Sequence, residues 1–425
     1  MVPTWLLHMW RRGGYGRGFC QRFGCLPKLP KPTEGRRRLW VHGVSLGEVQ
    51  SLWPLMEKLL GDGRYDIVCT ATSSSGLSAA RKLYGDKVET FAFPIDLWPF
   101  SSRAWSRIEP DVLVHADGEL WPEHLHQAHI RSVPVVVANC RLSERSFHRH
   151  RRFRFFSGAF WSAITDIFPD GQATVERLRL LPGAAEKIHS PGNIKCDRPP
   201  LAKLSGEKRR QMLEEIGLEA RLEDGSETSI LVGCSTWPGE EEFLLDVLAE
   251  LIARNPAWRL LIIPRHWERS QELRCSVERR QLPLHMRSSG AAQSCGATVS
   301  ILDSGGELQQ FVRLGAMAFL GKTLPPNGGA QSPVDAIAAS VPLVAGPRTG
   351  NFADAIGELL RAGAILRGAT AKEVAKHLLE LGESEARRKR VAEAATAWLL
   401  RNGGVSDRIC SRIGELAFGS AAAGR

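Results

Sequence analysis

Residues Asp111–Ala116 read DVLVHA and run directly into Asp117-Gly118-Glu119-Leu120-Trp121-Pro122. The first six form a compact apolar run that does not alternate in polarity, the pattern of a strand buried on both faces of a parallel sheet. The next six bring two acids, a glycine and a proline, which end a strand and open a helix. Val133–Ala138 (VPVVVA) repeats the pattern and passes into Asn139-Cys140-Arg141-Leu142-Ser143-Glu144-Arg145-Ser146. Working outward, Leu39–His42, Tyr65–Thr72, Val88–Phe93 and Ile164–Phe168 read as further strands. Ser45–Leu60, Gly76–Leu83 and Ala173–Leu181 read as the helices among them.

A linker is expected at Ser190–Lys208, which contains Pro191, Gly192, Pro199 and Pro200, and the alternation then restarts. Ile230–Gly233, Leu260–Ile263, Thr298–Leu302, Ala316–Leu320 and Val341–Ala345 are strand candidates, and Ala371–Leu381 and Glu385–Leu400 are helices. Two successive βα alternations predict an α/β protein of two doubly wound domains. The expected division is a basic segment over 1–38, an N-terminal domain over 39–198 and a C-terminal domain over 199–425. Ligands in such sheets sit beyond the carboxyl ends of the strands, so two facing domains are expected to share one cleft.

A chain of 425 residues suits two or three domains, and 43% hydrophobic with 24% charged residues excludes a disordered or fibrous protein. Its nine cysteines are odd in number, scattered and without a CxxC pair, which disfavours a disulfide framework or a zinc site and fits a reducing compartment. Asp-x-Asp does not occur, so no metal is expected on paired aspartates.

The net charge of +10 is unevenly placed. Residues 1–40 carry nine Lys/Arg against the single acid Glu34, and Arg141–Arg154 carries six arginines against Glu144, which leaves the remainder at −3. Two basic patches on a near-neutral body seek phosphates, whether of nucleic acid, lipid headgroups or a phosphorylated substrate. Met1–Trp10 is mostly apolar but too short to span a membrane and lacks a small-residue cleavage site. With Arg11 and Arg12 following its tryptophans, it reads equally as an interfacial segment on an anionic membrane or as a first helix packed on the body.

Among motifs with chemical content, Gly315–Thr323 (GAMAFLGKT) imitates a P-loop, yet five residues separate its glycines where four are needed, and the spacer is itself a strand. In His42-Gly43-Val44-Ser45-Leu46-Gly47-Glu48, Ser45 and Glu48 are spaced as a capping box. The alternative is a general base at the end of the first strand, and spacing alone favours the cap. Gly47, unfavourable in a helix, hints at a close approach. Glu119 likewise reads as a helix-start acid or a site carboxylate. In the second half, Gly233-Cys234-Ser235-Thr236-Trp237-Pro238-Gly239-Glu240, Pro264-Arg265-His266-Trp267-Glu268-Arg269, Asp303-Ser304-Gly305-Gly306-Glu307-Leu308 and Gly329-Ala330-Gln331-Ser332-Pro333-Val334-Asp335 all follow strands or precede helices. Small residues at helix starts offer N–H groups to phosphate, and Arg265 could pair with it bidentately, so together they point to a nucleotide site.

HGVSLGE, DGELWPE, NCRLSERS, PGNIKCD, CSTWPGEEE, PRHWER, SGGEL and GAQSPVDA occur in the order and approximate spacing of the bacterial 3-deoxy-D-manno-octulosonic acid (Kdo) transferases, a family the chain resembles over roughly residues 11–400. The resemblance implies a GT-B fold with the acceptor in the first Rossmann-like domain and CMP-Kdo in the second. It also implies metal-independent, cofactor-free inverting transfer to a lipid A precursor at the cytoplasmic face of the inner membrane. Position by position, it implies Glu48 as catalytic base, from the family's SVGE, which reverses the preference from spacing. Glu119 matches the second acid of ETELWP and Lys195 the lysine of GNLKFD, both implied to stabilise the transition state. Pro264 and Arg265 match the PRH element that meets CMP, Gly305, Gly306 and Glu307 a second nucleotide segment, and Ser332, Pro333, Val334 and Asp335 the family's NPLE.

The chain departs from the pattern at several of these places. Asp117-Gly118 replaces Glu-Thr, Trp237 and Gln331 replace histidines, Ser332 replaces Asn, and Asp335 is one methylene shorter than Glu. The expected partners are CMP-Kdo, a lipid A precursor and an anionic membrane surface, with no nucleic acid. Two competing readings are a GT-B transferase using another activated sugar, and a non-catalytic protein that binds anionic lipid or RNA through its basic patches.

Overall fold

A computed structural model describes residues 18–118, 120–198, 201, 204–290 and 296–419. The apolar runs of the first half become β1 (Arg37–Gly43), β2 (Tyr65–Ala71), β3 (Glu89–Ala92), β4 (Val112–Ala116), β5 (Val135–Cys140) and β6 (Asp166–Pro169). They form one parallel sheet in the order β3-β2-β1-β4-β5-β6. Every residue of β4 and β5 is buried, because helices cover both faces of the sheet. Strand alternation splits the apolar side chains between two cores. Leu39 and Val41 join Val49, Leu55 and Ile67 on one face, while Trp40 joins Phe93, Trp105 and Leu113 on the other.

The second sheet contains β7 (Ser229–Thr236), β8 (Trp258–Pro264), β9 (Leu284–Met286), β10 (Val299–Ile301), β11 (Met317–Leu320), β12 (Leu343–Ala345) and β13 (Leu366–Arg367). Its order is β13-β12-β11-β7-β8-β10-β9, again parallel throughout. Both sheets are therefore doubly wound and Rossmann-like, the architecture expected of each half of a GT-B chain. The two edge strands β9 and β13 are absent from the sequence reading, since runs of three and two residues leave no periodicity to detect. The expected helix over Ser45–Leu60 is two helices, Leu46–Ser51 and Trp53–Asp62. Pro54 stands in the first turn of the second, where its missing N–H has no partner to lose. No helix among the described residues is long and apolar enough to cross a membrane.

One unit comprises the chain up to Asp197 together with Asn402 onward, and the other is Arg198–Arg401. The expected C-terminal domain over 199–425 is thus corrected at its end. The helix Val405–Phe418 packs Val405, Ile409, Ile413 and Ala417 into the core beside β1 and β2. Asp197 caps it across the chain by accepting the N–H groups of Val405 (3.0 Å) and Ser406, and Arg412 pairs with the buried Asp166 at 2.9 Å. Residues 1–17, to which the interfacial reading applies, lie outside the described residues.

Beneath the first sheet lies a polar anomaly. His42 on β1, His115 on β4 and His124 on the helix Pro122–Ile130 are all buried among Trp40, Phe93, Trp105 and Trp121. Trp105 Nε1 donates to His124 Nδ1 at 3.2 Å, which makes Nε2 the protonated nitrogen, facing the Pro94 carbonyl at 3.4 Å. His115 finds no hydrogen-bond partner for either ring nitrogen. Burial holds all three neutral, pushing His42 well below its ordinary value, His115 to about 4 and His124 to about 3.

Because the unfolded chain binds protons at these histidines near pH 6.5 and the folded chain does not, their contribution to stability is complete above that pH. It falls as pH drops, by at most about 1.4 kcal/mol per pH unit for each histidine. Asp170, whose carboxyl burial raises to about 6, works in the opposite sense, as do the raised carboxyls of Asp96, Asp117, Glu240 and Glu241, while the lowered His150 and His285 add to the histidine side. Thermal unfolding should therefore show a falling midpoint from pH 7 to pH 5. His115→Leu, which removes an unpartnered buried imidazole, should flatten that slope without lowering the midpoint at pH 7. A midpoint independent of pH over this range would contradict the neutral assignment.

Candidate active site

In a doubly wound sheet the ligand crevice opens where the strand order reverses. In the first sheet the reversal lies between β1 and β4, and the chain leaving them carries HGVSLGE and DGELWPE. A cleft of about 590 Å³ opens there, lined by Glu48, Asp117, Gly118, Leu120, Trp121, Arg141, Ser143, Ser146, Arg149, His150 and Phe160.

Glu48 is half-buried in the first turn after β1. The capping box that its spacing suggests does not form in the expected way. Ser45 Oγ donates to Glu48 Oε1 at 3.0 Å instead of capping a helix N–H, and Oε2 accepts from Val44 N at 2.7 Å, one residue before the cap. The carboxylate is thus fixed in orientation while lining the cleft. The close approach suggested by Gly47 is not imposed by the chain itself, since a Cβ there would meet only Ser45 Oγ at 4.0 Å.

Across the cleft, Asp117 adopts a left-handed φ of 55° and accepts a hydrogen bond from Asn139 Nδ2 at 3.2 Å. The same Asn139 accepts the Ile194 N–H at 3.1 Å, which ties the short helix Ile194–Asp197, and with it Lys195, to the end of β5. Burial raises the Asp117 carboxyl, while Asn139 and the charges of Arg141 and Lys195 pull it down. Arg141 Nε lies 3.9 Å from Asp170, the carboxylate that follows β6. Gly118 is sterically required: a Cβ would sit 2.3 Å from the Arg141 carbonyl oxygen. That contact accounts for glycine at this departure from the family pattern.

The rest of the lining comes from the second basic patch. Ser143 caps the helix Glu144–Arg152 by accepting from Ser146 N at 3.2 Å, and Phe147 anchors it in the core. Arg149 and His150 then lie along the cleft. Arg145, Arg149, Arg151 and Arg152 are exposed, and among the described residues none forms an ion pair with a carboxylate.

Of the residues singled out by sequence, Glu48 therefore lines the cleft. Lys195 is not in its lining but acts on Asp117. Glu119 lies outside the described residues.

In the second sheet the order reverses between β7 and β11. Glu240, wholly buried at the start of the helix Glu240–Arg254, holds both of the loops that follow these strands. Its Oε2 accepts from Trp237 N (2.9 Å) and Lys322 N (2.8 Å), and its Oε1 from Thr323 N (2.8 Å) and Leu324 N (3.0 Å). Sequence reading includes Glu240 in the segment Gly233–Glu240 but gives it no role of its own.

Arg265, exposed just past Pro264 at the end of β8, donates its backbone N–H to Thr236 O at 3.1 Å, and its neighbour His266 stacks edge-on to Trp237 at 5.1 Å. Gly305 lies against Trp267, so that a Cβ would be 3.6 Å from Trp267 Nε1, and Gly306 has a left-handed φ of 88°. Glu307 is engaged by Ser304 and by Arg287 at 3.4 Å. Ser332 Oγ is buried without a partner, and Pro333 and Val334 open the helix Val334–Ala338. Asp335 is already taken by Arg198 and by Gln309, each at 3.1 Å. The structure thus links the 265–267, 305–309 and 335 segments along one sheet edge.

Residues 17–198 match the family model described as 3-deoxy-D-manno-octulosonic-acid transferase (kdotransferase). The 3-deoxy-D-manno-octulosonic acid transferase of Haemophilus influenzae is 29% identical over 94% of this chain and 88% of its own. That of Bordetella pertussis is 28% identical over 96% and 95%. Among solved structures, the UDP-N-acetylglucosamine 2-epimerase of Neisseria meningitidis superposes with a TM-score of 0.60 at 12% identity, covering 88% of this chain and 99% of that one, a likeness of fold alone. Taken with the motifs placed around the two sheet edges, these matches make the chain similar to the 3-deoxy-D-manno-octulosonic acid transferases over nearly its whole length.

Proposed function

We propose that this glycosyltransferase moves Kdo from CMP-Kdo to a lipid A precursor in lipopolysaccharide assembly, by direct inverting displacement. The observation that supports this reading most strongly is the oriented Glu48 carboxylate in a cleft that also contains Arg141 and Arg149. Such a cleft suits an acceptor that offers a hydroxyl to a base and phosphates to guanidinium groups. Glu48 takes the proton from the acceptor hydroxyl as its oxygen attacks the anomeric carbon of Kdo. The bond from that carbon to the phosphate oxygen breaks, and CMP departs with the bonding pair. Arg265 meets the phosphate charge, and Lys195 and Glu119 are assigned to the transition state. The nucleotide falls to the second unit, along the edge formed by Pro264, Arg265, Gly305, Gly306, Glu307, Ser332, Pro333, Val334 and Asp335.

Ribose recognition by Asp335 requires it to exchange Arg198 or Gln309 for a sugar hydroxyl. We further assign the protein to the cytoplasmic face of the inner membrane, where the exposed arginines of the helix Glu144–Arg152 meet anionic headgroups.

Glu48→Gln should leave CMP affinity and the unfolding midpoint unchanged while lowering turnover by about 10²–10⁴-fold, the usual range for general-base assistance. A variant that turns over normally but loses about 1 kcal/mol of stability would return Glu48 to the capping role. The membrane assignment is tested by flotation with vesicles of anionic lipid at low salt. Binding should weaken as salt rises, and replacing Arg151 and Arg152 with Gln should cost roughly thirtyfold in partitioning, at about 1 kcal/mol per charge. Vesicle binding indifferent to both salt and these charges would contradict it.

A further inference from the structure

The lysine of the false P-loop, Lys322, has no role in the reading above. It follows β11 and adopts a left-handed φ of 64°, a conformation that a long side chain rarely occupies. Its neighbour across the switch point, Ser235, is also left-handed at 56°, and the two loops touch so closely that a Cβ on Gly321 would fall 2.1 Å from Ser235 O. The backbone of Lys322 is pinned by Glu240 Oε2, the same oxygen that pins Trp237. The ammonium lies 4.6 Å from the centroid of the Trp237 ring, which in turn packs on His266 beside Arg265. Among the described residues Lys322 forms no ion pair. Trp237 Nε1 is buried without a partner.

A strained backbone, a double anchor on one buried oxygen and a cation resting only on a ring face describe a charge held ready for an anion. We propose that Lys322 binds an anionic oxygen of the sugar-nucleotide donor, working with Arg265 on the far side of the Trp237–His266 pair. The proposal rests on the donor reading above. CMP-Kdo carries two anionic groups, the phosphodiester and the ulosonate carboxylate, and the two cations match them in number.

The test compares the full chain with Lys322→Gly and Lys322→Met by calorimetric titration with CMP and with cytidine, and by kinetics with CMP-Kdo. Glycine suits the left-handed backbone, so Lys322→Gly should unfold at the wild-type temperature or above it. Cytidine affinity should be unchanged, and the KM for CMP-Kdo should rise about tenfold or more in both variants, with Lys322→Arg restoring most of it. A parallel loss of CMP affinity would assign the phosphate to Lys322, and CMP affinity retained against a raised donor KM would assign the carboxylate. Unchanged donor KM and CMP affinity in both variants would overturn the role of Lys322 while leaving the donor reading intact. Failure of the wild-type protein to bind CMP would instead overturn the donor reading, and the role of Lys322 with it.

Discussion

Where a parallel strand runs out, its loop must turn beside other loops, and their N–H groups need partners that the sheet no longer supplies. Each unit meets part of this demand with a buried side chain. In the second, the Glu240 carboxylate receives four backbone N–H groups from two loops. Desolvation raises its carboxyl from the ordinary value, and the four donors pull it back. In the first, Asn139 gives its amide N–H to Asp117 and takes the N–H of Ile194, joining the end of β5 to the segments that follow β4 and β6. Removing either group would leave several buried donors or acceptors unpaired at once, at about 1–3 kcal/mol each. These two residues tie neighbouring loops together at the two sheet edges, although neither is among those assigned to chemistry.

The split between what the sequence disclosed and what it hid follows from this. Runs such as DVLVHA and VPVVVA disclose parallel strands because burial on both faces suppresses polar alternation. Strands β9 and β13 are supported by neighbours already in place and need no apolar signature of their own. Glu48 was legible as a position, but only the coordinates show its carboxylate bound to Val44 and Ser45 in a manner unlike a capping box. Asp170 and Glu240 belong to no recognisable spacing between distant elements. Their partners, Arg141 and the loop after β11, are brought near by the tertiary fold alone.

Departures from the family pattern become intelligible in the same way. Gly118 is dictated by the Arg141 carbonyl, so a side chain at that position would require the loop after β5 to move. Trp237, in place of a histidine, supplies a ring face between Lys322 and His266 that a smaller ring would fill less completely. Gln331 donates its backbone N–H to Gly321 O at 3.2 Å, so its main chain is fixed by the strand end. Nothing in the structure explains the choice of glutamine for its side chain.

The return of Val405–Phe418 to the first unit has a consequence for biosynthesis. A ribosome completes all six strands of the first sheet long before it reaches Ile409 and Ile413, which cover part of that sheet's apolar face. The whole of Arg198–Arg401 is made in the interval. The nascent first unit therefore waits with an uncovered hydrophobic strip, and Asp197 with no helix to cap, until residues 405–418 have been made. The second unit, contiguous in the chain, has every residue of its own core in hand before that helix is made.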